Sequence, residues 1–577
     1  MQIRTKIRVI VVTAATLSIG SAGMSNYSFR INGMGGSILD FTHDPYSDVF
    51  YNPAYIANIQ GLQVYTNLSN LNSKAPASIL GNEFSMMKNA IYPSNMVGFM
   101  GRWEFLSGGA FYVSEGYNFN FETTSNNKDQ YEWDDENGSY IERNLSDFQS
   151  NSSFNLGGRQ IIGIGTVNLF GFRIGILGKI RTFKGSITFE SEEKRKKYED
   201  DKLTYNRTSN HTNNITSGTT FFGLVAGTVI GGENTELSIS GGIQPGGASI
   251  SSKYIDEWIR KPFYSSYYYQ YDQDPSKNFK VNYDKNNYDL SVLGSEIFVN
   301  ARLMKKVGPS TRTSIFGRGS TALFPVKIVD EYKEKYEAKK PDGYYQYSDS
   351  FVDTSYGYYQ LDEEINKQNG EGSVNFIQLK AGIGIEHQFE NNTLFILGIK
   401  GNYIHTSGSI DINPRVKSII YKDLYNNPEG ENIGYIQTTD YRNPVTMKGS
   451  GNTIFLEIPS ALEFTLTDKW IFRVGSNQIV PLYGSGKYSV SVTDKPDETT
   501  IKYTDGPNAG ITVTSISEDV TQFEEGEIKL SSNNFNLSRY YTGLGYLVNE
   551  NISIDIIHYS NLVDLNSWYI SFLVNFK

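Results

Sequence analysis

The chain has 577 residues, no cysteine and a formal net charge of −10; 38% of it is hydrophobic, with 41 Tyr, 33 Phe and 55 Gly. The lack of cysteine excludes disulfides, thiolate metal sites and a lipid anchor attached through Cys. The acidic balance argues against nucleic-acid binding, which needs a positive footprint, and the composition fits strands that are apolar on one face only.

At the start, Arg4, Lys6 and Arg8 precede an apolar run from Val9 to Ile19 and the small residues Gly20-Ser-Ala-Gly23. This is the pattern of a signal peptide over residues 1–23. The run is too short for a comfortable membrane helix, and no later stretch reaches the roughly 18 apolar residues one needs. An exported chain of this kind can cross a membrane only with strands. Without those three basic residues, 49 basic side chains stand against 62 acidic ones, a net charge of −13.

Residues 24–60 do not alternate. They contain Gly33-Met-Gly-Gly36, then His43-Asp-Pro and Asn52-Pro53-Ala54, a pattern of turns. Ile38, Leu39, Phe41, Val49, Phe50 and Tyr51 make the segment too apolar to float. It is expected to plug a barrel from the periplasmic side. Gly33, Gly35, Gly36, Asp44, Asp48, Asn52, Pro53 and Ala54 are its candidate gate residues. Asp44 and Asp48 should meet basic groups on the strands, because an unpaired buried carboxylate is costly.

Residues 61–577 read as a single antiparallel transmembrane β-barrel of sixteen alternating strands, an all-β fold, with no convincing amphipathic helix after the signal peptide. Tight turns near Gly171, Gly231-Gly232, Gly308-Pro309, Asn391-Asn392, Thr467-Asp468 and Asn549-Glu550-Asn551 alternate with polar stretches at 122–152, 191–216, 253–288, 330–372, 413–450 and 490–532. The tight turns suit the periplasmic end and the long stretches suit extracellular loops. Arg173, Lys179, Arg181, Lys380, Glu386, Glu457 and Glu463 each lie opposite an apolar face. A charge facing mid-bilayer lipid costs about 2–4 kcal/mol, so these seven are expected to face the lumen. In the last strand, Trp568, Ile570, Phe572, Val574 and Phe576 share one apolar face, which suits contact with outer-membrane lipid.

Gly108, Gly109 and Gly116 in the third strand mark either a kink in the wall or relief of crowding. The loop Tyr264-Ser-Ser-Tyr-Tyr-Tyr-Gln-Tyr271 suits contacts with sugars or a protein partner, or is a solvated surface loop. The five histidines, at 43, 211, 387, 405 and 558, stand singly, and nothing marks a Ser–His pair. No enzyme activity, cofactor or metal is expected.

The Gly-rich start, Asp44, and Asn52-Pro53-Ala54 leading into Gly61-Leu-Gln-Val-Tyr65 resemble the N-terminal segment of the FadL/TodX family of outer-membrane hydrophobic-compound transporters. Leu456-Glu-Ile-Pro-Ser460 is similar to a proline-containing segment that starts a family strand. The chain departs from the family at His43, which replaces one Asp of an acidic pair, and at Pro45. The resemblance implies an outer-membrane location in a Gram-negative-type bacterium, fourteen strands rather than sixteen, and assembly by the barrel-assembly machinery. It further implies passive transport of fatty-acid-like or aromatic hydrophobic small molecules past an N-terminal hatch and out through the wall. The same start occurs in PorV-like relatives, which implies the alternative of a non-transport scaffold or adhesin-like display, its loops holding a protein partner. An apolar lumen cavity of about 300 Å³ or more favours transport, and a filled lumen the scaffold.

Overall fold

The computed structural model describes residues 28–34, 37–69, 94–135, 138–169, 172–199, 202–260, 270–271, 279–340, 343–348, 351–355, 358–424, 433–494, 498–516, 520–529, 537–558 and 568–576. The expected signal peptide, Gly35, Gly36 and most of the Tyr-rich loop (264–269) lie outside them.

Alternating apolar and polar residues give strands, and sixteen of them close one antiparallel ring. They are β1 (Leu62–Ser69), β2 (Ser94–Trp103), β3 (Leu106–Asp135), β4 (Gly138–Leu169), β5 (Phe172–Glu199) and β6 (Lys202–Gly231). Next come β7 (Thr235–Arg260), β8 (Phe279–Lys306), β9 (Thr311–Lys340), β10 (Tyr358–Gln388) and β11 (Leu394–Leu424). The last five are β12 (Val445–Thr465), β13 (Trp470–Asp494), β14 (Leu537–Asn549), β15 (Ile552–His558) and β16 (Trp568–Phe576). β16 pairs with β1 from Leu62 opposite Phe576 to Ser69 opposite Tyr569, which closes the wall. The fourteen strands implied by the family resemblance are therefore corrected to sixteen.

Each strand alternates between an inner and an outer face. In β5, Phe172, Ile174, Ile176 and Ile180 are exposed outward, while Leu177 is buried inward. In β8, Ile297, Val299 and Leu303 are exposed, while Phe298, Asn300, Arg302 and Met304 are buried. The outer residues form an apolar band beside the short turns. Trp103, Phe105, Phe389, Leu466 and Trp470 are exposed at the turn end of it.

The polar stretches expected to be loops are mostly strand. β3 and β4 pair without a break out to Asp135 opposite Gly138, and β9 and β10 out to Lys340 opposite Tyr358. A strand tilted by about 40° gains roughly 2.6 Å per residue along the axis, so a 30-residue strand such as β3 rises about 80 Å. An apolar band is about 25 Å tall. The wall from β3 to β11 thus continues far beyond it as paired ribbon. Polar composition misled the reading because a ribbon wet on both faces needs no apolar alternation. The stretch 490–532 is also strand in part. Glu498–Asp505 and Thr512–Ile516 extend a sheet that starts from β11 through Ile433–Tyr441, and Val520–Lys529 pairs with β13.

Of the two readings of the third-strand glycines, the kink is not seen in the ladder. At Gly108, Gly109 and Gly116 the β3–β4 ladder runs on, opposite Gly165, Ile164 and Gly157 in turn. Gly109 instead makes room: a Cβ there would meet Met100 at 3.0 Å and Ile56 of the N-terminal segment at 3.1 Å. Three two-pair skips lie at prolines. Between β6 and β7 the ladder skips Phe222-Gly223 opposite Gln244-Pro245, and between β8 and β9 it skips Leu293-Gly294 opposite Phe324-Pro325. A third skip faces Ile458-Pro459 in β12. Proline has no N–H to give the ladder, and the register resumes unchanged on either side.

Candidate functional site

Residues 28–34 and 37–60 fold inside the ring at its short-turn end. Two short helices, α1 (Phe29–Gly33) and α2 (Pro45–Tyr51), are separated by a 3₁₀ turn at Ser37–Asp40, and a second 3₁₀ turn covers Pro53–Asn58. The sequence shows turns and no convincing amphipathic helix here, because five and seven residues are too few for an apolar period to appear. Local chemistry fixes them instead. Ser28 caps α1 by accepting from Ile31 N–H, and Asp44 caps α2 by accepting from Ser47 N–H, with Pro45 following it.

Asn52-Pro53-Ala54 is the seat of the plug. The Asn52 oxygen accepts from Ala54 N–H at 3.0 Å, and its amide donates to Thr228 O, Ser238 Oγ and Ile239 O at 2.9–3.1 Å. Thr166 Oγ1 donates to Pro53 O at 2.8 Å, and Ser240 Oγ to Tyr51 O at 2.9 Å. The turn rests on two glycines of the wall. A Cβ on Gly227 would overlap Asn52 Oδ1, and one on Gly175 would overlap the backbone at Pro53 and Ala54. Gly33 approaches β14 in the same way, since a Cβ on it would meet the Cα of Gly543 at 3.2 Å.

Charges tie the plug to the wall. Arg302 of β8, fully buried, donates to Leu39 O at 2.8 Å, Thr42 O at 3.2 Å and Asp48 Oδ1 at 2.9 Å. Its guanidinium lies 5.0 Å and 5.2 Å from the rings of Tyr51 and Tyr55. Lys400 of β11 holds Asp40 at 2.6 Å and also donates to Ser37 O. Arg30 of α1 grips Glu463 through two N–H groups at 3.0 Å, while Arg473 holds the same carboxylate at 2.6 Å. Asp44 meets Arg30 at 3.7 Å, so its cation belongs to the plug and not to a strand as expected. Burial, only partly offset by Arg30, pushes the Asp44 carboxyl above its usual pKa.

His43 stands between two carboxylates: Nδ1 is 2.8 Å from Asp48 and Nε2 is 3.3 Å from Glu236. Only the imidazolium can donate to both. Burial works against that charge, but the bonds to Asp48 and Glu236 outweigh it and raise the His43 pKa.

The seven charges expected to face the lumen all lie on inner faces. Arg173 bonds Asn58 and lies 3.4 Å from Glu236. Glu386 accepts from Thr42 and Arg312. Glu457 accepts from Ser37 and Asn402, with Lys380 at 3.6 Å, and Glu463 holds Arg30. Lys179 and Arg181 follow on the same face of β5, beyond Gly175 on which the plug turn rests; Lys179 lies across Gly223. Sequence reasoning missed Arg302, Lys400, Glu236 and Arg30. The alternation Val299, Leu303 outward against Asn300, Arg302 inward was the available signal for Arg302.

Above the plug the inner face of β6 to β11 turns apolar, with Phe221, Leu290, Val292, Phe324, Val326 and Phe376 in one buried cluster. Register aligns Phe221, Gly246, Gly294 and, across the skipped pair, Phe324 in one row. The Phe221 ring fills the space where a Cβ on Gly246 would stand, and the Phe324 ring does the same at Gly294. Outside the same glycines is a depression of about 970 Å³, lined by Phe222, Pro245, Gly247, Leu293, Leu323 and Pro325 among others. Here the wall presents two glycines inward, covered by two phenylalanine rings, and the ladders on both flanks skip a pair of positions while the ladder between the glycines is intact. The prolines inside strand-like segments could have marked it.

No family model matches the chain, and no curated protein matches it. Among solved structures it is similar to the ferric-catecholate import receptor Fiu of E. coli K12 in its closed form, at 8% identity over 90% of this chain and 82% of that one, with a TM-score of 0.19. The siderophore receptor PirA of Pseudomonas aeruginosa gives 11% identity over 90% and 81%, with a TM-score of 0.17. The ferric yersiniabactin uptake receptor FyuA of Yersinia pestis gives 9% over 90% and 80%, with a TM-score of 0.19. At these scores the superpositions carry no argument about this chain.

Proposed function

We propose that this protein is an outer-membrane barrel that passes hydrophobic small molecules without energy input, through the interior above the plug and out through the wall at a skipped pair. The observation that carries it is the row Phe221-Gly246-Gly294-Phe324, with an apolar cluster inside and an apolar depression outside. A hydrophobic solute on that path stays out of water, and to reach lipid it must displace the two rings and part the wall at a skipped pair, since the ladder between Gly246 and Gly294 is intact. The outward apolar band with aromatics at its turn end supports membrane insertion. The Asn-Pro-Ala turn, on which the likeness to the FadL/TodX family rests, would close the periplasmic end to polar solutes. The depression lies on the outer side of the wall and so is not the lumen cavity that would by itself favour transport; it and the skipped pairs support transport because a scaffold role leaves them without a use.

A reversible lock tests the path. Phe222→Cys with Pro245→Cys places two thiols across the first skipped pair, in a chain that has no other cysteine. Oxidation should slow uptake of a fluorescent fatty acid or naphthalene by roughly fivefold or more, and reduction should restore it. Uptake that ignores a disulfide shown to have formed would remove the lateral route.

A further inference from the structure

Beyond the apolar band, the inner face of β6 to β10 carries an ordered surface that the transport reading does not use. Register places Asn213, Tyr254, Asn286, Tyr332 and Asn366 side by side, one from each strand. Four residues further out, Trp258, Asn282, Tyr336 and Asp362 repeat the pattern, with aromatics on β7 and β9 and amide or carboxyl groups on β8 and β10. Between them runs a row of acceptors, Asp256, Asp284, Glu334 and Glu364.

The oxygens Oδ1 of Asn213, Asn286, Asn366 and Asp362 are buried, and among the described residues no hydrogen-bond donor reaches them. A buried acceptor left unmet is costly, so four such oxygens on one face favour a ligand toward whose donors these side chains can turn. Neighbouring strands lie about 4.8 Å apart, which spaces the three asparagines about 10 Å from one another with a tyrosine between each. We propose that this face binds a neutral oligosaccharide lying across the strands. Sugar hydroxyls donate to the Asn and Asp oxygens, and the C–H faces of the rings lie against Tyr254 and Tyr332. Trp258 and Tyr336 form the outer rim, with Arg207 over the first at 5.0 Å and Lys280 over the second at 4.8 Å. The carboxylate row accepts further hydroxyls and disfavours anionic glycans. Binding there needs the ribbon end to face outward, as membrane insertion by the apolar band has it, but does not need hydrophobe transport.

The test uses the whole protein in a detergent without a sugar head, such as LDAO, with maltoheptaose, cellohexaose, laminarihexaose, chitohexaose and an anionic oligogalacturonate as probes. Binding is read by calorimetry. At least one neutral probe should bind, and better than the anionic one. Asn213→Ala with Asn286→Ala and Asn366→Ala should weaken it by roughly tenfold or more. Asn214→Ala with Asn287→Ala, one residue along on the outer face, should change it by less than about twofold. Asn286→Ala alone, expected to lose about threefold, serves if the triple variant does not fold. No binding of any neutral probe would overturn the proposal and leave ordered water as the partner of these oxygens, as would equal losses in the inner and outer variants. Loss of the lateral route in the disulfide experiment, with sugar binding intact, would sink transport and leave this site standing.

Discussion

Arg302 is the residue on which the plug's position most depends. Its charge is completely buried and is satisfied by Asp48 and two carbonyls of the plug. Removing one member of a buried pair leaves the other uncompensated, at a cost of about 3–5 kcal/mol. Arg302→Met should therefore release the plug while the wall stays closed, seen as faster trypsin cleavage after Arg30 and higher conductance in planar bilayers. A double variant with Asp48→Asn should recover part of the loss, since it removes the orphaned charge. His43 adds a pH dependence. It faces Asp48 in the plug and Glu236 and Arg302 on the wall, with Tyr55 beside its ring. Its pKa is raised on docking, so its contribution is complete below the undocked value of about 6.5 and is lost as pH rises through the docked value. Conductance should thus increase from about pH 6 towards alkaline pH, and His43→Gln should flatten that rise. An unchanged slope in the variant would assign the effect to another group.

At the scale of elements, the plug turn and the wall are fitted to one another through glycine. Gly175 and Gly227 leave no room for a side chain beneath Asn52 and Ala54. Gly227→Leu should unseat the turn and expose the plug to protease, whereas Gly163→Leu, where a Cβ meets nothing within 4 Å, should not. Much of this level was legible in the sequence. Apolar alternation located the sixteen strands, and charges opposite apolar faces, such as Arg173 and Glu463, do lie on inner faces. The Asn-Pro-Ala turn could be read because its chemistry is local. What could not be read was pairing without apolar alternation. The ribbons beyond the band are wet, so their residues gave the same signal as loops. Nor could sequence say which cation meets which carboxylate, because Arg302 and Asp48 are 254 residues apart and only closure of the ring joins them.

At the scale of the molecule, the wall and the plug are held by separate sets of bonds. β16 meets β1 through eight consecutive paired positions, and among the described residues no ladder of the ring passes through 28–60. Deleting residues 33–54 therefore takes nothing from the closure of the barrel. It does strip Arg302, Lys400 and Glu386 of plug partners, but water would then fill the short-turn half of the interior and solvate them. The cost falls on the apolar inner residues that pack on the plug, Met100, Phe111 and Ile164 among them, which would face that water. The deletion variant should still insert and still migrate differently on gels when unheated, with a lower melting temperature than the intact protein. It should also pass small polar solutes, read as single-channel conductance and as antibiotic hypersensitivity of the cells that carry it. If the variant inserts but conducts no better than the intact protein, then the constriction is not the plug, and the two phenylalanine rings above it become the next place to cut.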